Sequence, residues 1–131
     1  MKKFGILNHP ISSVIAEMGH KDQITICDAG LPIPEHCYRI DLAIQPGFPG
    51  FIDVVQAVAH DLEVEGIVLA EEVRTANPAV EQAILDIFGD VSVTYVPHDA
   101  FKQQSEGSRA FIRTGECTPF ANIILISGVT F

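Results

Sequence analysis

The sequence predicts an α/β fold, a single three-layer domain over residues 1–131 with a largely parallel central sheet flanked by helices. Three observations predict it. Apolar runs of strand length alternate with amphipathic segments of helical spacing, Gly, Pro, Asn and Asp punctuate the junctions between them, and no linker, repeat or low-complexity tract divides the chain. A chain of 131 residues buries roughly two-thirds of the surface its unfolded form exposes, enough for one good core.

The elements follow in order. Asn8 caps a first helix with Pro10 in its early turn and Ile11, Val14, Ile15 and Met18 at helical spacing, and Gly19 is expected to end it. QITICD (23–28) reads as a buried strand that AGLPIP turns the chain out of, and YRIDLAI (38–44) alternates as a second strand. PGFPG separates it from the amphipathic FIDVVQAVAHDL (51–62). EGIVLAE (65–71) is strand-like, and Asn77-Pro78 opens a helix through Ile84, Leu85 and Phe88 that Gly89 closes. VSVTYV (91–96) is a strand, Pro97-His98-Asp99 starts a short helix, and RAFIRT (109–114) and NIILIS (122–127) are the last two strands.

Composition narrows the function. With 17 acidic residues against 8 basic and a net charge of −9, the chain repels a phosphate backbone, so nucleic acid is excluded as a partner, whereas a neutral small molecule meets no such penalty. Although 47% of residues are hydrophobic and the mean hydropathy is +0.27, no apolar run approaches the ~20 residues of a membrane span. MKKFGILNHPISSV breaks at Asn8, His9 and Pro10, too early for a signal segment, and a cytoplasmic protein is expected. Cys27, Cys37 and Cys117 show no CxxC spacing and are expected as buried thiols. The histidines and acidic residues show no metal-ligand spacing, and there is no GxGxxG or GxxxxGK loop and no GxSxG elbow, so neither a metal nor a cofactor is expected.

In sheets of this kind ligands gather where strands end and loops leave, and the polar residues there are His20, Asp28, His98 and the loop RTGECTPFAN (113–122). His20, just beyond a helix C-terminus, sits where the dipole favours a protonated imidazole, as a proton donor requires; a tolerated surface histidine is the alternative. Asp28, closing a strand before Ala-Gly, can accept hydrogen bonds from turn amides. His98 lies in a first helical turn, and Lys102, four residues on, would share its face and point a donor at the same pocket. In the loop, an Arg113–Glu116 ion pair is expected to brace the chain, Phe120 to stack on a sugar ring or fill the core, and Asn122 to offer a donor and an acceptor.

Taken together, LN at 7–8, GH at 19–20, CDAGLPIP at 27–34, HDAFK at 98–102 and IRTGECTPFANIIL at 112–125 resemble the D-ribose pyranase family of bacterial ribose-utilisation operons over essentially the whole chain. L-fucose mutarotases share the fold and part of this motif set, and a non-catalytic sugar-binding accessory protein is the remaining alternative. The resemblance implies an isomerase that interconverts the pyranose and furanose forms of β-D-ribose without cofactor or metal. It implies His20 as proton donor and Asp28, His98, Phe120, Ala121 and Asn122 as sugar contacts, with Phe120 standing where that family usually has tyrosine, and Lys102, on the helix face of His98, is expected to join them. It also implies a homo-oligomer, a pentameric ring or a decamer, with sites at subunit interfaces. The apolar run NIILISGVTF is expected to contribute to such self-association.

Overall fold

The computed structural model describes all of residues 1–131. In chain order the elements are α1 (His9–Glu17), β1 (Gln23–Cys27), β2 (Arg39–Asp41), α2 (Phe51–Asp61), β3 (Val64–Ala70), α3 (Val73–Ala76), α4 (Pro78–Phe88), β4 (Ser92–Val96), α5 (His98–Ser105), β5 (Phe111–Arg113) and β6 (Ile123–Ser127). The six strands form one sheet in the order β2-β5-β1-β6-β3-β4. β5 runs parallel to β1 and β2, and β3 parallel to β4, while β6 is antiparallel to both β1 and β3. The largely parallel sheet is therefore present with one strand reversed. β6 follows β5 through the loop 114–122, which leaves and re-enters the sheet at the same end of its strands, so β6 runs antiparallel.

Alternation along the strands feeds two cores. Ile24, Ile26, Ile67, Leu69, Ile112, Ile123 and Leu125 face α1, α2 and α4, whose Ile11, Val14, Val54, Val58, Ile84 and Phe88 complete the larger cluster. Their neighbours in sequence, Cys27, Val68, Ala70, Phe111 and Ile124, point the opposite way and pack on Phe101 of α5 and on Leu31. These are the helix layers expected on either side of the sheet.

Local chemistry accounts for most boundaries. Asn8 Oδ1 accepts from Ile11 N at 3.0 Å, and Gly89 at φ +55° closes α4. Gly19 does not end α1. The helix stops at Glu17, Met18 leaves in an extended conformation, and Gly19 N donates to Asp22 Oδ2 at 2.8 Å, so the left-handed turn residue is Lys21 at φ +71°. The strand expected over 38–44 shrinks to Arg39–Asp41 because Asp41 Oδ1 accepts from Ala43 N and curls the chain off the edge. The run NIILISGVTF is not a free apolar surface: Ile123, Ile124 and Leu125 are fully buried in the sheet of their own chain, and only its end, with Val129 and Phe131, is exposed. The thiols differ from one another. Cys27 is buried, Cys37 partly covered and Cys117 exposed, because Cys117 lies on an outer loop rather than in a strand.

At the C-terminal end of β5 the loop 114–122 is wedged against the PGFPG turn. Gly47 N donates to Gly115 O at 2.6 Å and Gly115 N to Pro49 O at 2.9 Å. A methyl group on Gly115 would lie 2.6 Å from the backbone N and C of Phe48, closer than any side chain tolerates. Gly115→Ala is expected to lower unfolding free energy by about 1–3 kcal/mol, read from the denaturant midpoint, through forced separation of the two loops. An unchanged midpoint would show that the loops are not in contact. Burial also pushes the Cys27 thiol up to about 12. A thiol reagent at mildly alkaline pH should therefore modify Cys117 readily and Cys27 only after unfolding, since the thiolate is the reactive form. The raised Cys27 value favours the neutral folded state. Its contribution is complete below the ordinary thiol value of 9.0 and is lost as pH rises towards 12.

Candidate functional site

The C-terminal ends of β1 and β4 and the start of β6 converge on one side of the sheet, and the polar residues of the loops meet there. Asn122, 1% exposed, is the last residue before β6 and lies across from the end of β1. Its Oδ1 accepts from Asp28 N at 2.9 Å and its Nδ2 donates to Asp28 Oδ2 at 3.0 Å, while Asp28 Oδ1 accepts from Gly30 N at 2.9 Å. Asp28 is thus both a turn residue and an oriented carboxylate with lone pairs to spare. Asn122 spends its carbonyl and one amide hydrogen on it and keeps the second hydrogen.

His98 is the first residue of α5, where its backbone N–H donates to the Glu72 carboxylate oxygens at 3.1 and 3.0 Å. Its ring meets Phe120 edge to face at 5.0 Å between centroids and stacks near Phe101 at 6.3 Å. Nδ1 is buried with no partner, which leaves Nε2 as the nitrogen available to a ligand. Phe120 has a positive φ of +56°, unusual outside glycine. Three hydrogen bonds support that backbone: Asn122 N donates to Phe120 O at 2.9 Å, and Asn77 Nδ2 donates to both Thr118 Oγ1 and Pro119 O at 2.9 Å. Phe120 packs on the core and also borders the cleft.

Asp28, Gly30, Leu31, Pro32, His98, Pro119, Phe120 and Asn122 line a cleft of about 290 Å³. It offers a carboxylate, an amide, an imidazole and one aromatic face, which is suited to a small polyhydroxylated ligand. Ala121 is fully buried and contributes no side chain to the cleft. Lys102 does not line it. Its ammonium is held by Asp99 at 3.0 Å on the same helix, which keeps the Asp99 carboxyl below its ordinary value. The expected Arg113–Glu116 pair is also absent. Arg113 bonds both Asp41 oxygens at 3.1 Å and the Ala29 carbonyl at 3.1 Å, whereas Glu116 caps α2 by accepting from Phe51 N at 3.2 Å and accepts from Thr118 Oγ1 at 3.1 Å. The loop is braced, by partners distant in sequence.

His20 stands apart. It precedes β1, Asp28 follows β1, and Lys21 N donates to the carbonyl of Ser127 at the far end of β6 from Asn122. The five residues of β1 alone span about 17 Å, so His20 of one chain does not reach the cleft of that same chain. At its own end, 51% exposed, it contacts Glu65 with Nε2 2.9 Å from Oε2, and Lys21 holds the other carboxylate oxygen. Those contacts, the Lys21 one first, hold the Glu65 carboxyl below its ordinary value.

The sequence gives no local signal for the partners of Glu65, Glu72 and Asn77, each of which bonds a residue more than twenty positions away. No three His, Cys, Asp or Glu side chains gather as a metal-binding group, and no helix is long and apolar enough to cross a membrane.

Comparison with known proteins gives a consistent result. The chain is 51% identical to a protein of Glaesserella parasuis serovar 5 (strain SH0165) and 53% identical to one of Laribacter hongkongensis (strain HLHK9), both named D-ribose pyranase, with full coverage of both chains in each case. Among solved structures, Bacillus subtilis RbsD complexed with D-ribose superposes with a TM-score of 0.97 at 40% identity over the whole of both chains. A fucose mutarotase from Streptococcus pneumoniae in complex with L-fucose reaches 0.81 at 22% identity and shares the fold. Residues 1–130 match the RbsD / FucU transport protein family, and the chain, alike from its capped first helix to its last strand, belongs to that family.

Proposed function

We propose that the protein is a D-ribose pyranase, an isomerase that interconverts the pyranose and furanose forms of D-ribose. The observation that carries this is the full-length identity of about half the residues to proteins named for that activity, compared with 22% to the fucose mutarotase. The cleft agrees with it. Its acceptors and donors are neutral or anionic, so it can hold hydroxyl groups through Asp28, His98 and Asn122, with Phe120 against the apolar face of a sugar ring. Lys102 and Ala121 belong to the proposed contacts at one remove, Lys102 if it leaves Asp99 and Ala121 through its backbone.

The reaction opens a cyclic hemiacetal and closes it through a different hydroxyl. A proton must reach the ring oxygen while another leaves the anomeric hydroxyl, and the reverse transfers complete closure. His20 is the proposed donor, an imidazole suiting transfers in both directions near neutral pH. Its separation from Asp28 by the length of β1 supports a working unit that is a homo-oligomer, a pentameric ring or a decamer, in which His20 of one chain meets the cleft of a neighbour. Exposed Phe4, Leu7, Ile44 and Phe48 supply apolar surface for such contacts. A cytoplasmic location, with neither metal nor cofactor, completes the proposal. Three thiols without disulfide partners agree with a reducing compartment.

Exchange NMR on ribose tests the assignment. His20→Ala should lower the pyranose–furanose interconversion rate by roughly 10²-fold or more while the thermal midpoint stays near that of the parent protein. Parental exchange rates in the folded variant would remove His20 from the mechanism.

A further inference from the structure

We propose that Glu65 is the positioning residue for His20: it holds the imidazole through Nε2–H, so that Nδ1 is the nitrogen that exchanges a proton with the sugar. The inference rests on the assignment of His20 as donor and adds to it the working atom and the residue that selects it.

Five features of the structure converge on Glu65. Its Oε2 lies 2.9 Å from His20 Nε2. An ionised carboxylate only accepts, so in this contact Nε2 carries the hydrogen and Nδ1 is turned away. The Lys21 ammonium holds the other oxygen and fixes the carboxylate's orientation. Lys21 reaches it from a left-handed backbone position, φ +71°, with its N–H tied to Ser127 O at 2.9 Å. Such conformations are unfavourable outside glycine and persist where the surroundings impose them.

The backbone under Glu65 is equally specialised. Val64 pairs with Ser127 and Gly66 with Ile126, so two steps on β3 oppose one on β6, and Glu65 is the extra residue of a bulge. Bulges of this kind re-aim a side chain. Gly128 packs directly over it: a methyl group at Gly128 would lie 3.2 Å from Glu65 Cβ, and Gly128 N donates to Glu63 O at 2.9 Å. The other charged groups nearby are otherwise engaged or directed elsewhere. Asp22 Oδ2 is bonded by Arg109 Nη2 at 3.0 Å and by Gly19 N, and the carboxylate paired with His20 is that of Glu65, not that of Glu63. Glu65 is the carboxylate left for His20. It takes the part that the C-terminus of α1, ending three residues earlier at Glu17, was expected to play.

The proton balance is closed. As the bond between the anomeric carbon and the ring oxygen breaks, the imidazolium gives its Nδ1 proton to that oxygen and becomes a neutral ring that keeps Nε2–H on Glu65. A carboxylate or water in the cleft takes the anomeric hydroxyl proton, leaving the open-chain aldehyde. On closure, Nδ1 takes the proton of the attacking hydroxyl and the cleft group returns its own to the carbonyl oxygen. Glu65 exchanges no proton at any step.

Glu65→Gln keeps the size and an acceptor, removes the charge and adds a donor, so it no longer dictates which ring nitrogen carries hydrogen. In the full-length protein with ¹⁵N-labelled histidine, correlation spectra should show neutral His20 as the Nε2–H tautomer in the parent and as a mixture in Glu65→Gln. The same variant should lose about tenfold in maximal exchange rate, with ribose half-saturation unchanged. Glu65→Asp, which keeps the charge at shorter reach, should fall between. A parental rate and tautomer in Glu65→Gln would overturn the proposal, as would a lost rate with an unchanged tautomer, which is the result of a merely structural role. If His20→Ala exchanges ribose at the parental rate, the donor assignment fails and takes this proposal with it, an outcome distinct from failure of Glu65 alone.

Discussion

Strand β1 fixes the distance between His20 and Asp28, and the rest of the account depends on that distance. The strand is central in the sheet, paired on one side with β5 and on the other with β6, so neither end can bend towards the other. A chain therefore presents two polar groups at opposite ends of β1. One is the cleft of Asp28, His98, Phe120 and Asn122, and the other is His20 with Glu65 and Lys21. The two non-glycine residues with positive φ, Lys21 and Phe120, lie one in each half. Strain of that kind is retained where geometry matters more than local stability.

Each half is held by hydrogen bonds from outside its own segment. Asn122 grips Asp28, Glu72 receives the first N–H of α5, Asn77 holds Thr118 and Pro119, and Glu116 caps α2. Individually such bonds contribute about 0.5–1.5 kcal/mol. Their value here is positional: they join the start of β6, the N-termini of α2, α4 and α5 and the loop after β5 into one framework around the cleft. Polar side chains can do this at low cost because each has its partner, and breaking one would leave a partly buried group unpaired.

What was legible in the sequence follows from the range of the interactions. Asn8, Pro10, Pro78 and Gly89 mark helix ends through their own turns, and the apolar runs in QITIC and IILIS report strands covered on both faces of the sheet. Where boundaries or partners depend on residues far away, the sequence was silent or misleading. Gly19 looked like a helix terminator, yet Asp22 takes its N–H and Lys21 takes the turn. Arg113 and Glu116 looked like a pair, yet Asp41 and Phe51 hold them. The reversal of β6 and the bulge at Glu65 are features of sheet register, which no single segment encodes. Of the residues expected together, Asp28, His98, Phe120 and Asn122 do line one cleft, whereas Lys102 and Ala121 do not, and the distance of His20 from that cleft emerges only from the fold.

That division is most directly tested by mixing two variants of the full-length protein, His20→Ala and Asn122→Ala, each defective in ribose exchange, under conditions that let subunits redistribute. If catalytic units form between neighbours, random assortment restores exchange to roughly a quarter of the parental rate, because an intact His20 then meets an intact cleft across some interfaces. If the mixture stays as inactive as its components while mixed oligomers are demonstrably present, His20 and the cleft do not act together across chains, and the account is contradicted.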